Sequence, residues 1–164
     1  MMQAVFEAML AFFEGDAHQI QHAVKVHAFA RMLGIAEGLD AETQRILEMA
    51  AILHDVGIKP ARARYGRSDG SLQEREGPPV AEAILRRLEI PEAQIRRVCY
   101  LVGHHHTYTG IDGADYQILI EADFLVNIEE EGMGRAAVEK ILAEIFKTPT
   151  GLRYARWMFP PDEA

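Results

Sequence analysis

The sequence predicts an all-α protein that forms a single helical bundle. Apolar residues recur every three or four positions over most of the chain, which is the spacing of an amphipathic helix. No stretch of useful length alternates apolar and polar residues as a half-buried strand does. The chain has 164 residues, of which 49% are hydrophobic, so it can bury one substantial core. We therefore predict one domain over residues 1–164.

Helix boundaries in the first part of the chain follow from residues that start and stop helices. The first helix is predicted from residue 2 to about residue 14. Asp16 and Asp40 each precede an apolar helical pattern, and their side chains can accept hydrogen bonds from the free amides at a helix start. We expect the second and third helices, which they begin, to end near Gly34 and His54.

The middle of the chain departs from this pattern. Residues 57–79 are rich in Gly, Pro, Arg and Ser and poor in apolar residues, so a long connection is expected there. Pro79 and Pro91 are placed at the first turns of the next two helices, where a missing amide is tolerated. Helices are predicted over residues 80–88, 92–105, 114–130, 135–146 and 152–158, with a break over 107–113.

Charge and cysteine content narrow the functional classes. Seventeen Lys and Arg against 25 Asp and Glu give a net charge of -8, which disfavours non-specific nucleic-acid binding. Cys99 is the single cysteine, so an intrachain disulfide and multi-cysteine metal sites are excluded, and a cytoplasmic location is expected. The apolar residues 1–13 are too short to span a bilayer and lack a basic leader, so neither a membrane segment nor a signal peptide is predicted.

The most informative segment runs from Met49 to Gly57, where an apolar helix ends in His54 and Asp55. At a helix end the backbone relaxes, and an adjacent imidazole and carboxylate can then face the same cation. The alternative is that Asp55 only accepts a hydrogen bond from His54 in a helix-end turn. The dipeptide alone leaves both interpretations open.

Two further residues combine with this pair. Asp123 lies in a strongly apolar stretch, where an ionised carboxylate is costly unless it is paired. It could be paired with a metal ion, or it could form a structural salt bridge. His22 lies among apolar residues of the second helix, where a lone histidine is usually a core or surface residue. Together His22, His54, Asp55 and Asp123 supply the nitrogen and oxygen donors that divalent metals accept, so we predict a metal site from these four residues.

A triple histidine, His104-His105-His106, follows an apolar helix. If the helix continues, one or at most two of these side chains face the core, and one remains in solvent. We expect His104 or His105 to bind a second metal or the phosphate of a substrate. The sequence does not decide between these two residues.

Positive charge is concentrated soon after the His54-Asp55 pair. Lys59, Arg62 and Arg64 follow within ten residues on an otherwise acidic protein. Ammonium and guanidinium groups suit a phosphate or carboxylate substrate, although a solvated basic loop would look the same. Neither a Gly-rich phosphate loop nor a nucleophile elbow is present, so kinase and serine-hydrolase chemistry are not supported.

The order His22, then His54-Asp55, then Asp123 resembles the HD-domain metal-dependent phosphohydrolase superfamily. The resemblance covers about residues 18–130 and is carried by His22-Ala-Val-Lys-Val, by Ala50-Ala-Ile-Leu-His-Asp-Val-Gly57 and by Glu121-Ala-Asp123. It implies an HD-type helical bundle with flanking terminal helices and one or two divalent ions, which could be Fe, Mn, Mg, Ni, Co or Zn. It also implies hydrolysis of a phosphomonoester or phosphodiester, often a nucleotide. The chain also resembles a group of small bacterial HD proteins that share its Glu-Gly-Pro-Pro and triple-histidine segments.

The chain departs from the family's pattern at two places. Members with two metals commonly have a histidine just before the helix predicted to start near Pro79, whereas this chain has Glu74-Arg-Glu-Gly-Pro-Pro79. We expect Glu76 to replace that ligand, or the second metal to be weak or absent. The family's lysine usually follows the glycine directly, but Ile58 separates Gly57 from Lys59 here.

The leading hypothesis is a metal-dependent phosphohydrolase, in which the metal lowers the pKa of a bound water. The candidate catalytic residues are Asp55, Lys59, His104 and His105, and the candidate phosphate-binding residues are Lys59, Arg62 and Arg64. A di-iron HD-type oxygenase is one alternative, and a non-catalytic nucleotide-binding module is another. The expected partner is a small phosphorylated substrate, with nucleotides among the candidates, and the apolar terminal helices leave a homodimer open.

Overall fold

The computed structural model describes residues 1–161, which form helices and connecting turns without any strand. The helices in this range are α1 (Met2–Phe12), α2 (Ala17–Ala36), α3 (Ala41–Leu53), α4 (Ile58–Tyr65), α5 (Gly70–Arg87), α6 (Glu92–Val102), α7 (Ala114–Glu130), α8 (Arg135–Glu144) and α9 (Pro149–Met158). The predicted all-α, single-domain fold is confirmed. None of these helices is both long enough and apolar enough to cross a membrane.

The core is built around α7, most of whose residues are buried. This helix packs against α2, α3 and α9, while α3 also packs against α1 and α6. Leu119, Ile120 and Leu125 of α7 are fully buried, and so is Leu47 of α3. A polar residue on the inner side of α7, such as Asp123, is therefore held in an interior from which water is largely excluded.

Local capping chemistry begins α2 and α3 as predicted. The Asp16 carboxylate accepts a hydrogen bond from the amide of Gln19 at 3.1 Å. The Asp40 carboxylate accepts hydrogen bonds from the amides of Glu42 at 2.9 Å and Thr43 at 3.1 Å. Each side chain satisfies amides that the first turn of a helix leaves without partners, so both helices start at the predicted residues.

The predicted long connection over residues 57–79 is wrong, because this segment is almost entirely helical. It contains α4 and the first half of α5, so Pro79 lies inside α5 and not in the first turn of a helix. Proline in a helix interior removes a hydrogen bond and costs about 3 kcal/mol. Packing against α6 offsets this cost, since Ala81, Ile84 and Leu85 are buried along one face of α5.

A close approach between α4 and α5 depends on Gly57. A Cβ atom added at this position would lie 2.3 Å from the backbone oxygen of Gln73 and 2.8 Å from the backbone nitrogen of Gly77. Backbone atoms cannot rotate away as a flexible side chain can. The glycine after His54-Asp55 therefore sets how closely α5 approaches the end of α3.

Gly57→Ala is expected to destabilise the protein by about 3 kcal/mol, because overpacking against backbone forces the two helices apart. Gly134→Ala is the control: Gly134 has a φ of -69°, and nothing lies within 4 Å of an added Cβ. Its cost should stay below about 1 kcal/mol, which reflects only the lower suitability of alanine at a helix start. Urea unfolding of both variants measures the difference, and equal destabilisation would contradict this role of Gly57.

Candidate metal centre

Side chains from α2, α3 and α7 bring their donor atoms together in the interior. The Nε2 atoms of His22 and His54 lie 3.1 Å apart. Oδ1 of Asp123 is 3.2 Å from His22 Nε2 and 3.5 Å from His54 Nε2. We call His22, His54 and Asp123, whose donor atoms are mutually close, the first cluster.

A second cluster lies beside the first and consists of Asp55, His105 and His106. Oδ1 of Asp55 is 3.5 Å from Nε2 of His105. Its other oxygen, Oδ2, is 3.5 Å from the Nε2 atoms of both His22 and His54. One carboxylate thus presents one oxygen to each cluster, so Asp55 can bridge two cations.

The spacing of the donor atoms suits a metal ion. When metal–ligand bonds are about 2.1 Å long, neighbouring ligand atoms lie about 3.0 Å apart in an octahedron and about 3.4 Å apart in a tetrahedron. The measured separations in the first cluster run from 3.1 to 3.5 Å. Asp123 Oδ1 and His105 Nε2 are also buried without a hydrogen bond of acceptable geometry. The residues therefore fit a divalent cation.

Three of the histidines are oriented by hydrogen bonds from their Nδ1 atoms. His22 donates to Glu130 Oε2 at 2.9 Å, His54 donates to the carbonyl of Ala51 at 2.8 Å, and His105 donates to the carbonyl of Val102 at 2.8 Å. A proton on Nδ1 leaves the lone pair of Nε2 free to bind a metal. Each ring is thus fixed with its free nitrogen toward the clusters.

Charge in the centre is balanced by protons when no cation is bound. Burial lowers the pKa of His54, but the charges of Asp55 and Asp123 outweigh this effect and raise it to about 9. Burial raises the pKa of Asp55, but His54 and His105 bring it down to about 2. Burial also raises the pKa of Asp123, yet His22 and His54 hold it well below its usual range. A divalent cation would displace protons from imidazoles and neutralise carboxylates that are already ionised.

A comparison with known protein families identifies the family to which the chain belongs. A family model described as the HD domain matches residues 20–146. The chain belongs to the HD domain family. The fold is similar to the crystal structure of a predicted HD superfamily hydrolase from an uncultured Thermotogales bacterium, with a TM-score of 0.68 and 22% identity. That match covers 96% of this chain and 84% of the other. A comparison with curated proteins gave no match.

A cavity of about 200 Å³ opens onto the two donor clusters of this HD domain. His22, Asp55, His106 and Asp123 contribute to its lining, so both clusters are reached from it. The rest of its wall includes Gln19, Ile58, Gln73, Asn127, Glu130 and Glu131. Among residues 1–161, no lysine or arginine lines this cavity.

The basic residues predicted to bind phosphate lie elsewhere in the HD domain. Lys59 donates to the carbonyl of Phe12 at 2.8 Å, and Arg62 donates to the hydroxyl of Ser68 at 3.3 Å. Arg64 forms an ion pair with Glu76, at 2.7 Å between Nη1 and Oε2. These residues belong to α4, which turns only its first residue, Ile58, toward the cavity.

Glu76 and His104 also lie outside both clusters. The Glu76 carboxylate accepts hydrogen bonds from Arg64 and from Tyr65 Oη, so it already has partners away from the centre. The His104 ring stacks on Tyr100, with 4.2 Å between ring centroids, and its Nδ1 donates to the Tyr100 carbonyl.

His105, one of the two alternatives from the sequence, lies in the second cluster, and His106 joins it there instead of His104. The predicted helix to residue 105 is too long, because α6 ends at Val102. The chain then turns and brings His106 back toward Asp55. His105 and His106, with ring centroids 4.1 Å apart, therefore form the second cluster with Asp55.

The polar residues that line the cavity but were not predicted from the sequence include Gln19, Gln73, Asn127, Glu130 and Glu131. Helical spacing could have found three of them. Gln19 precedes His22 by three positions, and Asn127 and Glu130 follow Asp123 by four and seven, so each shares a helix face with a predicted ligand. Gln73 gave no such signal, since it lies in the segment that was expected to be a loop.

Glu130→Ala is expected to weaken metal binding by roughly 10–100-fold, because a carboxylate that orients a histidine ligand strengthens the metal site. Glu130 accepts the Nδ1 proton of His22 and also pairs with Lys25 at 3.0 Å. Glu129→Gln, which changes an exposed neighbour on the same helix, is the control and should bind metal like the wild type. Isothermal titration with Mn²⁺ measures both, and equal affinities would contradict this role.

Proposed function

We propose that this HD protein is a metal-dependent phosphohydrolase that acts on a small phosphate ester. The observation that carries the proposal is the pair of donor clusters that share Asp55 at one cavity. Together the clusters supply four imidazoles and two carboxylates, a set of donors that suits one or two divalent cations. Membership of the HD domain family supports metal-dependent hydrolysis as the reaction class.

In this proposal His22, His54, Asp55 and Asp123 hold the first cation, and Asp55, His105 and His106 hold the second. Bound cations would supply a water of lowered pKa and polarise the phosphoryl oxygen. Glu130 keeps His22 oriented, and Gln73 does the same for His106 by accepting a hydrogen bond from Nε2 at 2.9 Å. Burial lowers the pKa of His106 to about 4, so this imidazole is neutral and able to act as a ligand near pH 7.

The two cation sites are not equivalent. Two imidazoles and two carboxylates face the first site, whereas two imidazoles and one carboxylate face the second. We therefore propose that the second ion binds more weakly. No lysine or arginine of the described chain lines the cavity, so charge on the phosphoryl group would be balanced by the cations.

The test is hydrolysis of p-nitrophenyl phosphate and bis-p-nitrophenyl phosphate by protein stripped of metal and then loaded with Mn²⁺, Fe²⁺, Mg²⁺, Ni²⁺, Co²⁺ or Zn²⁺ in turn. Release of nitrophenol by the loaded protein, and its loss in His54→Ala, supports the proposal. The His104→Ala variant is a matched control that should retain activity, since His104 lies outside both clusters. Loaded protein without activity on any phosphate ester would overturn it.

A second candidate function is oxidation of the substrate by a di-iron centre. The observation that favours it is the position of Asp55, whose carboxylate faces both histidine-containing clusters. Under this alternative, protein loaded with Fe²⁺ consumes oxygen in the presence of substrate. If the protein is active with Mg²⁺ or Zn²⁺, which do not activate oxygen by electron transfer, the alternative is excluded.

A further inference from the structure

The residues of the cavity wall that lie outside the donor clusters indicate which group the substrate carries besides its phosphate. This wall is formed by carboxamides and carboxylates, among them Gln19, Asn127, Glu130 and Glu131. Resting on the proposed function, we infer that the substrate is a small aminoalkyl phosphate, whose ammonium group is bound by Gln19 and Glu131.

Charge on this wall favours a cation. Glu130 has both oxygens engaged, one with His22 and one with Lys25, at 2.9 and 3.0 Å. Glu131 is exposed and forms no ion pair within residues 1–161. Apart from His22 and His106 of the donor clusters, the one basic side chain of residues 1–161 on the lining is the imidazole of His18, which is 70% exposed. A second phosphate or a carboxylate on the substrate would therefore meet like charge, whereas an ammonium group would meet opposite charge.

Gln19 supplies an independent observation. This side chain is buried, with only 6% of its surface exposed, and it lines the cavity near the first cluster. Its Oε1 atom has no hydrogen-bond partner. A buried carbonyl oxygen without a donor is costly, so a ligand that brings a donor to this side chain would be favoured. An ammonium group has three donors and can serve Gln19 and a carboxylate at the same time.

The residues that line the cavity argue against a nucleotide. No Phe, Tyr or Trp of the described chain lines the cavity, and the imidazoles of His22 and His106 belong to the donor clusters, so a nucleobase would find only the exposed ring of His18 to stack on. Ile58 is the one aliphatic residue of the lining, enough to contact a short alkyl chain.

Phosphonates cannot be hydrolysed at phosphorus, so their binding measures the preference for the ammonium group independently of any hydrolysis. Calorimetry on Mn²⁺-loaded protein would compare 3-aminopropylphosphonate with butylphosphonate, which carries a methyl in place of the ammonium. We expect the amino compound to bind about tenfold more tightly. Equal binding, tighter binding of butylphosphonate, or tighter binding of a phosphonate analogue of AMP would overturn the inference.

Single substitutions test whether the preference for the ammonium group depends on Gln19 and Glu131. Glu131→Gln changes an exposed side chain and should reduce the preference for the amino compound severalfold without affecting butylphosphonate. Gln19→Leu should also reduce this preference severalfold. Glu129→Gln is the control and should leave the binding of both phosphonates unchanged. A preference that survives both Glu131→Gln and Gln19→Leu would overturn the assignment of the ammonium to these residues.

Hydrolysis of O-phosphoethanolamine and of propyl phosphate then tests the proposed function separately. Failure of both esters to react, together with selective binding of the aminophosphonate, would reject the hydrolase and retain the ligand class. Turnover of both esters without any preference in binding would retain the hydrolase and reject the ligand class.

Discussion

Asp55→Ala is expected to remove both metal ions and to reduce hydrolysis by about 10³-fold or more. Each oxygen of this carboxylate faces a different donor cluster, at 3.5 Å from His105 on one side and from His22 and His54 on the other. Its loss therefore weakens both sites at once. The rate estimate follows because a catalytic metal stabilises the transition state by several kcal/mol, and each 1.36 kcal/mol is worth a factor of ten.

Metal content and phosphatase rates of three variants check this prediction. His105→Ala removes a donor from the second cluster alone, so it should lose the second ion and retain the first. His104→Ala removes a neighbouring imidazole that stacks on Tyr100, so it should retain both ions. If Asp55→Ala retained one ion at wild-type affinity, the carboxylate would not be shared between the clusters.

Removal of metal is expected to lower the melting temperature by roughly 10 °C. A ligand present at about 1,000 times its dissociation constant stabilises the native state by about 4.1 kcal/mol. In a protein of this size each 1 kcal/mol corresponds to about 2–4 °C. The stabilisation arises because a cation would neutralise Asp55 and Asp123, which are both buried.

Thermal unfolding with excess Mn²⁺ and with chelator measures this shift. The Asp55→Ala variant is the control, because it should melt at nearly the same temperature under both conditions. An unchanged melting temperature in the wild type would mean that the clusters do not bind Mn²⁺ tightly enough to stabilise the fold.

Local chemistry explains which parts of the fold could be predicted from the sequence. Asp16 and Asp40 begin helices where expected, because a capping carboxylate acts on amides within three residues of itself. The segment with α4 and the start of α5 was missed, because its stability comes from contacts with other helices. Pro79 in particular is tolerated inside α5 by packing that a local pattern does not reveal.

In the site, too, residues marked by local signals were predicted, and residues whose positions depend on tertiary packing were not. His22, His54 and Asp123 were found because a charged or polar residue surrounded by apolar neighbours is a local signal of a buried role. The positions of Lys59 and His106 depend instead on how α4 is rotated and on where α6 ends. Neither property could be determined from the residues beside them.

Hydrogen bonds from His54 and His105 to the last-turn carbonyls of α3 and α6 have a consequence for the order of binding. The carboxyl ends of two helices lie beside the clusters, and each helix end carries about half a negative charge from its aligned peptide dipoles. These dipoles and the carboxylates of Asp55 and Asp123 favour positive charge at the clusters, and protons on the imidazoles supply it until a cation displaces them. The clusters therefore attract a cation without help from the substrate, so we expect the cations to bind first and the phosphate to follow.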